Sequence, residues 1–395
     1  MPSSTSNSDL HKSGGALPAG LRLTASDRPG QAQPVPTRDI PDQPWGKLAL
    51  TVAAVLLIGT ALIEWNARRI GLHTGDLDNS ETDWANERAR SAGAAVAIVG
   101  DSRILFDTDL ARFEQLTGIR PIQLAIHGTS GLTLLQDAAA NPDFKGLLIV
   151  GLADTMFFQP FDGYGGYIHK RAQYESPAKR SSAVIDHFLQ RRIAYLDGNH
   201  RLSVVAARLD PNFRRGVDGP YDDVWKVQEV GEHRETHMWS KIETDPRTRA
   251  HTRYAWKGFK EEFPFTPQLI AGGIAKAVKA VAAIRARGGE VVFVRPPSDM
   301  RLRVNEESQV PKVKGWDALL RATGAVGVHN DDLSPAVRNL TMPEWSHLNR
   351  ACAPVFTDAY VRRLAELTPR LKLLKDAPPP IQRADCIPGA IRPTS

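Results

Sequence analysis

Cysteine is scarce: Cys352 and Cys386 are the only two in 395 residues. There is no C-x-x-C and no H-E-x-x-H, and the histidines are scattered, so nothing in the chain suggests zinc. A glycine-rich phosphate loop is missing too, and neither a cofactor nor a metal is expected. Long apolar runs are missing with a single exception. An apolar fraction of 42% is that of a globular protein and excludes a multi-span membrane protein. The net charge of +6 is mild, and without an accompanying binding motif it does not point to nucleic acid as a partner. The two cysteines allow one disulfide. In an oxidising compartment it would clip the Pro-rich tail to the body, and in the cytosol they would remain two thiols.

The exceptional run is Leu48 to Ile63, LALTVAAVLLIGTALI, which carries no charge and lies between Trp45 and Trp65. With its flanks it is long enough to cross a bilayer, and the tryptophans suit the two interfaces. The long polar lead-in and the lack of an A-x-A-like site before Glu64 argue against a cleaved signal peptide. We therefore expect a signal anchor over 45–66, bound to the bilayer through one helix. Lys12, Arg22, Arg28, Arg38 and Lys47 precede the span, whereas Arg68 and Arg69 are followed by Asp76, Asp78, Glu81 and Asp83. The positive-inside rule then gives a single-pass inner-membrane protein with a cytoplasmic N-terminus and an extracytoplasmic, periplasmic body. Residues 1–44, rich in Ser, Gly, Pro and Asp and without periodicity, read as a disordered tail, and 67–91 as a linker or stalk.

Five short apolar runs follow: Ala94–Val99, Pro121–Ile126, Leu147–Val150, Val291–Val294 and Ala325–Val328. Runs of this kind suit strands buried on both faces. Helical periodicity lies at Leu110–Leu116, Leu132–Ala140 and Ile270–Ala286, and again from Cys352 to Leu367. The alternation predicts an α/β fold with a doubly wound, mainly parallel five-stranded sheet, whose chemistry sits at the carboxyl ends of the strands. Between Thr155 and Lys260 the alternation lapses. That segment holds six of the seven tyrosines, with Trp225, Trp239 and Trp256, and 18 Lys/Arg against 13 Asp/Glu. It reads as an inserted cap, 155–262, mostly helical or irregular, splitting the main domain into 92–154 and 263–372 ahead of a Pro-rich tail, 373–395. Within it, Ser181–Leu196 predicts an amphipathic helix with Val184, Ile185, Phe188, Leu189, Ile193 and Leu196 on one side. The aromatics among basic residues suit a sugar-binding wall or, equally, a small satellite core.

Gly100-Asp101-Ser102 ends the first run; alone, a Ser there is an ordinary helix cap. Its company gives it meaning: HGTSG (His127 to Gly131) follows the second run, GLAD (Gly151 to Asp154) the third, and EWSHLN (Glu344 to Asn349) precedes the final helix. In this order the blocks resemble the SGNH, or GDSL-type, hydrolase superfamily, over roughly residues 92–154 and 263–372. The resemblance implies a flavodoxin-like fold with Ser102 as nucleophile, His347 as base and Glu344 as the carboxylate orienting it. Ser102 and Gly128 would supply backbone N–H groups to the oxyanion. A hydroxyl needs a base to take its proton during attack, and a carboxylate three residues before the imidazole can steady the charged ring.

The chain departs from the superfamily pattern at two positions. Ala153 stands where the third block carries an oxyanion-donating Asn, a loss worth about a hundredfold or more in rate, and Glu344 replaces Asp. Should Glu344 point away, Asp331 or Asp332 could serve instead. Asp101 reads as holding the turn, His127 as a substrate contact or a hydrogen-bonded structural residue, and Arg295 as an anion ligand or a salt-bridge partner. These three and Asp154 are the candidate substrate-binding residues.

Membrane-anchored members of this superfamily with an inserted segment are linked to acylation of envelope or exported polysaccharides, some beside a multi-span membrane acyltransferase. The resemblance thus implies a serine esterase or O-acyl(acetyl)transferase whose partner is a polysaccharide or other O-acylated substrate. A non-catalytic glycan-binding or assembly component, favoured by Ala153, and a lipid-directed esterase are the alternatives.

Overall fold

The computed structural model describes residues 42–158, 164–172, 174–208, 226–256 and 265–387, together with two paired dipeptide strands, Leu21–Arg22 and Val35–Pro36. Most of the expected disordered tail and the last eight residues lie outside the described residues. The chain forms two compact units, Met1–Leu62 and Ile63–Ser395.

The helix Trp45–Arg69 has 25 residues, a mean hydropathy of 2.1 over its most apolar stretch, and no burial there. Among the described residues it is the one helix long and apolar enough to cross a membrane.

In the larger unit five strands form one parallel sheet: β1 (Val96–Val99), β2 (Ile122–Gln123), β3 (Leu147–Gly151), β4 (Glu290–Arg295) and β5 (Gly327–His329), in spatial order β2-β1-β3-β4-β5. All strand pairs are parallel, so every carboxyl end opens on one edge. The strands are short because their apolar runs are short, and each is covered on both faces. Val96, Ile98, Ile149, Val292 and Val294 pack with Ile104, Phe106, Phe113, Phe356 and Tyr360 on one side. Ala97, Val99, Leu148, Val150 and Phe293 pack with Leu135, Phe157, Val281, Trp316 and Leu319 on the other. The order reverses around β1 and β3, which puts the switch point beside Ser102.

The helices Leu110–Thr117, Gly131–Ala140, Pro267–Ala286 and Ala353–Leu367 lie where the periodicity placed them. Among those that escaped the sequence reading are Glu81–Arg90, Met300–Gln309 and Trp316–Thr323. The first of these corrects the stalk. Thr82, Trp84 and Glu87 are buried, and the Trp84 indole donates to the Leu124 carbonyl at 3.0 Å, so residues 67–91 are part of the body.

The expected cap is likewise continuous with the core. Its two-stranded ribbon, Gln228–Val230 with Thr236–Met238, leads into Trp239 and Ile242, both buried against the sheet's first face. Its helix spans Pro177–Gln190, and Val184, Ile185 and Phe188 are exposed rather than packed. The body instead takes the helix's polar side: Gln190 binds the Asp78 N–H and the Leu196 carbonyl, both at 3.1 Å.

Cys352 and Cys386 form a disulfide that holds the tail against the start of the last helix.

Candidate active site

Gly100 leaves β1 at φ +147°, and a Cβ there would lie 2.6 Å from Ile104 Cγ2 and 2.8 Å from the Gly151 carbonyl. Only glycine lets the chain turn this tightly against the end of β3. The next residue, Asp101, caps the helix Ser102–Asp107 by accepting from the Arg103 N–H at 2.9 Å. Its other oxygen accepts from the Ala153 N–H at 2.8 Å. Asp101 is therefore the clamp between the first and third blocks, and its two oxygens are spent on backbone. Ser102 is the first helical residue, where an N–H has no partner within the helix.

His347 arrives from the far end of the chain, and its Nε2 lies 2.8 Å from Ser102 Oγ. Its Nδ1 lies 2.8 Å from Glu344 Oε1. A carboxylate can only accept, so Nδ1 carries the proton and Nε2 is left to accept from the hydroxyl. Glu344 is therefore the carboxylate that meets the imidazole. Of its two substitutes, Asp331 is paired with Arg303 instead. The extra methylene of Glu is accommodated by a tight loop in which Glu344 Oε1 also accepts from the His347 N–H at 2.6 Å.

Glu344 and His347 are buried and held from several sides, while Ser102 is partly exposed. Glu344 and His347 are 1% and 2% exposed. The Phe106 ring lies 4.5 Å from the imidazole, and the Trp256 ring meets it edge-on at 6.1 Å. The Trp256 indole N–H donates to Glu344 Oε2. Burial alone would raise the Glu344 pKa, but the neighbouring His347 and the hydrogen bonds from His347 and Trp256 outweigh it and hold the carboxyl below its usual range. Asp107, at the end of the helix Ser102–Asp107, accepts from the Leu348 N–H at 2.8 Å and so fixes the loop carrying His347. Burial pushes the Asp107 carboxyl well up.

Gly128 lies at φ +63° after β2, in a loop tied to the nucleophile turn by an Ile126 N–H to Gly100 carbonyl bond of 3.0 Å. His127 beside it is partly buried; burial first, then the charges of Arg234 and His347, lower its pKa to about 4, so it is neutral at pH 7. Asp154 and Arg295 face each other. Arg295 Nε donates to Asp154 Oδ2 at 3.0 Å and Nη2 to Glu306 Oε2 at 2.7 Å, with Arg295 only 2% exposed. Arg103 also donates to Glu306, and its Nε reaches Ser346 Oγ at 3.3 Å. Burial would raise Glu306, yet Arg103 and Arg295 hold it down at about 2. This buried ion network braces β4 and the helix Ser102–Asp107 against the loop carrying His347, and its geometry is that of a support.

Trp256, Asp107, Arg103 and Glu306 escaped the sequence reading as site residues. Trp256 had one signal, its place among the aromatics of the insertion. The others stand in no block and no apolar pattern that would mark them in the sequence.

No protein-family model matches the chain, and a search of curated proteins finds no match.

Proposed function

We propose that the chain is a membrane-anchored, extracytoplasmic serine acyl-ester hydrolase or O-acyl(acetyl)transferase of the SGNH type, acting on a cell-envelope or exported polysaccharide. The observation that carries this reading is the unbroken relay of 2.8 Å from Ser102 Oγ to His347 Nε2 and 2.8 Å from His347 Nδ1 to Glu344. Nucleophile, base and orienting carboxylate are already within reach of one another, as acyl transfer requires. The strand order β2-β1-β3-β4-β5 supports the superfamily's flavodoxin-like fold. The Cys352–Cys386 disulfide supports an oxidising compartment.

In the first half-reaction Ser102 Oγ attacks the acyl carbonyl while His347 Nε2 takes its proton. Negative charge gathers on the carbonyl oxygen and positive charge on the imidazole, which Glu344 stabilises. Backbone N–H groups of Ser102 and Gly128 receive the oxyanion, with the start of the nucleophile helix adding its positive end. The oxygen of the departing alcohol takes the proton from His347, leaving an ester on Ser102. A sugar hydroxyl or water then attacks that ester, His347 again accepting and returning the proton. The third block contributes no side-chain donor, because Ala153 has none and its N–H already serves Asp101. Slow turnover with simple esters is the expected consequence.

The test is hydrolysis of 4-nitrophenyl acetate by the purified chain. Ser102→Ala and His347→Ala should each abolish turnover above background, with mass spectrometry showing an acyl adduct on Ser102 in the parent. Equal turnover by parent and both variants overturns the enzymatic reading. Retained glycan binding in that case would favour the assembly component that Ala153 suggests.

A further inference from the structure

The helix Pro177–Gln190 is inverted relative to an ordinary amphipathic surface helix. Val184, Ile185 and Phe188 stand on one face at 69, 58 and 53% exposure. The opposite, polar side meets the body: His187 lies 3.1 Å from Asp83, Asp186 lies 3.3 Å from Arg201, and Gln190 is buried. A helix that spends its polar side on protein and leaves isoleucine and phenylalanine outside needs a second apolar phase to cover them.

The helix is flanked by cations. Arg180 and Arg191 keep 64 and 44% of their side chains exposed while meeting Glu175 and Glu232. Arg192 lays its guanidinium 3.9 Å over the Phe188 ring, an apolar anchor with a charged head above it.

The position of the helix identifies the phase. Ile63–Arg69, the last turns of the long apolar helix, belong to the same compact unit as the body. Glu64 there accepts from the Ala194 and Tyr195 N–H groups at 3.1 and 3.0 Å. A few residues beyond Gln190, the chain is thus pinned beside Trp65, which is 63% exposed. On the reading of Leu48–Ile63 as a membrane span, Trp65 marks the level of the lipid headgroups.

We propose that Pro177–Gln190 lies in the outer headgroup layer of the bilayer, with Val184, Ile185 and Phe188 facing the acyl chains and Arg180, Arg191 and Arg192 on anionic lipid phosphates. The body is then seated on the membrane at two places instead of swinging from a tether. This rests on the span reading, and the experiment separates the two.

The full chain is reconstituted in phosphatidylcholine vesicles containing phosphatidylglycerol, with an environment-sensitive fluorophore on either Ile185→Cys or Leu56→Cys. The native cysteines are occupied by their disulfide, and Ile185 is exposed, so neither label competes with a native thiol nor disturbs the core. A shallow doxyl-labelled lipid should quench the Ile185 label and a deep doxyl-labelled lipid the Leu56 label, and aqueous iodide neither. Replacing Arg180, Arg191 and Arg192 by Glu should lower lipid quenching at Ile185 roughly twofold or more and leave Leu56 unchanged. Lipid quenching at Leu56 with iodide quenching at Ile185 overturns the proposal while the span stands. An Ile185 label shielded from both quenchers also overturns it, since protein then covers the face. No lipid quenching at Leu56 removes the span and the proposal together.

Discussion

At the scale of single residues, the indole of Trp256 is the most informative contact in the site. It comes from the insertion and donates to the outer oxygen of Glu344, 88 residues away. Trp256→Phe keeps a ring against His347 and removes the donor. A hydrogen bond to a charged group is worth about 1.5–3 kcal/mol, so kcat/KM for 4-nitrophenyl acetate should fall about tenfold to a hundredfold. The pH profile should move as well. Trp256 helps hold the Glu344 pKa down, so its loss raises that pKa, and the acid limb of kcat/KM shifts to higher pH. An unchanged rate and an unchanged acid limb would show the contact to be idle. Such a residue is hidden in sequence because a hydrogen bond across 88 residues leaves no local spacing. Ser102, Glu344 and His347 were singled out because each sits in a short block whose order along the chain resembles that of a known superfamily.

Among the elements, the turn at Gly100 combines a close steric contact with a positive φ. A methyl at this position would meet Ile104 Cγ2 at 2.6 Å and the Gly151 carbonyl at 2.8 Å, on a backbone at φ +147°. Gly100→Ala should therefore cost several kcal/mol, roughly 3 or more, seen as a drop in the urea unfolding midpoint. Retention of the parent midpoint would mean that the turn and β3 can separate freely. The five strands could be read from sequence because a strand covered on both faces is an uninterrupted apolar run. Met300–Gln309 could not, since MRLRVNEESQ has no apolar stripe and buries Glu306 in an ion network instead. Pro177–Gln190 was recognised as amphipathic, over Ser181–Leu196, with no side of it assigned to the body. Periodicity shows that a helix has two faces and is silent on which one meets protein.

For the whole molecule, acid sensitivity follows from histidines kept neutral. His127 has its pKa lowered to about 4, burial being the first cause, and His329, also through burial first, to about 2. In the unfolded chain both take up protons near pH 6.5. Below that value the unfolded state binds more protons than the folded one, so stability falls as pH drops. The loss levels off for His127 near pH 4 and continues for His329 toward pH 2. Urea midpoints measured between about pH 7.5 and pH 4 should decline, and His329→Gln should flatten the slope. A midpoint independent of pH in that window would contradict the buried neutral state. The fold class was legible at this scale, whereas the extent of the body was not. Residues 67–91 are polar enough to resemble a stalk, yet they carry Trp84, whose burial depends on a loop near residue 124 that sequence alone does not bring close.

The reactive pair spans 245 positions of the chain. On the proposed function a growing polypeptide presents Ser102 long before its base exists, and in that interval the hydroxyl has no imidazole to take its proton. Any product truncated ahead of His347 would be silent for the same reason. On that reading acyl chemistry waits until the loop carrying His347 has been made and has packed against the helix that follows β1.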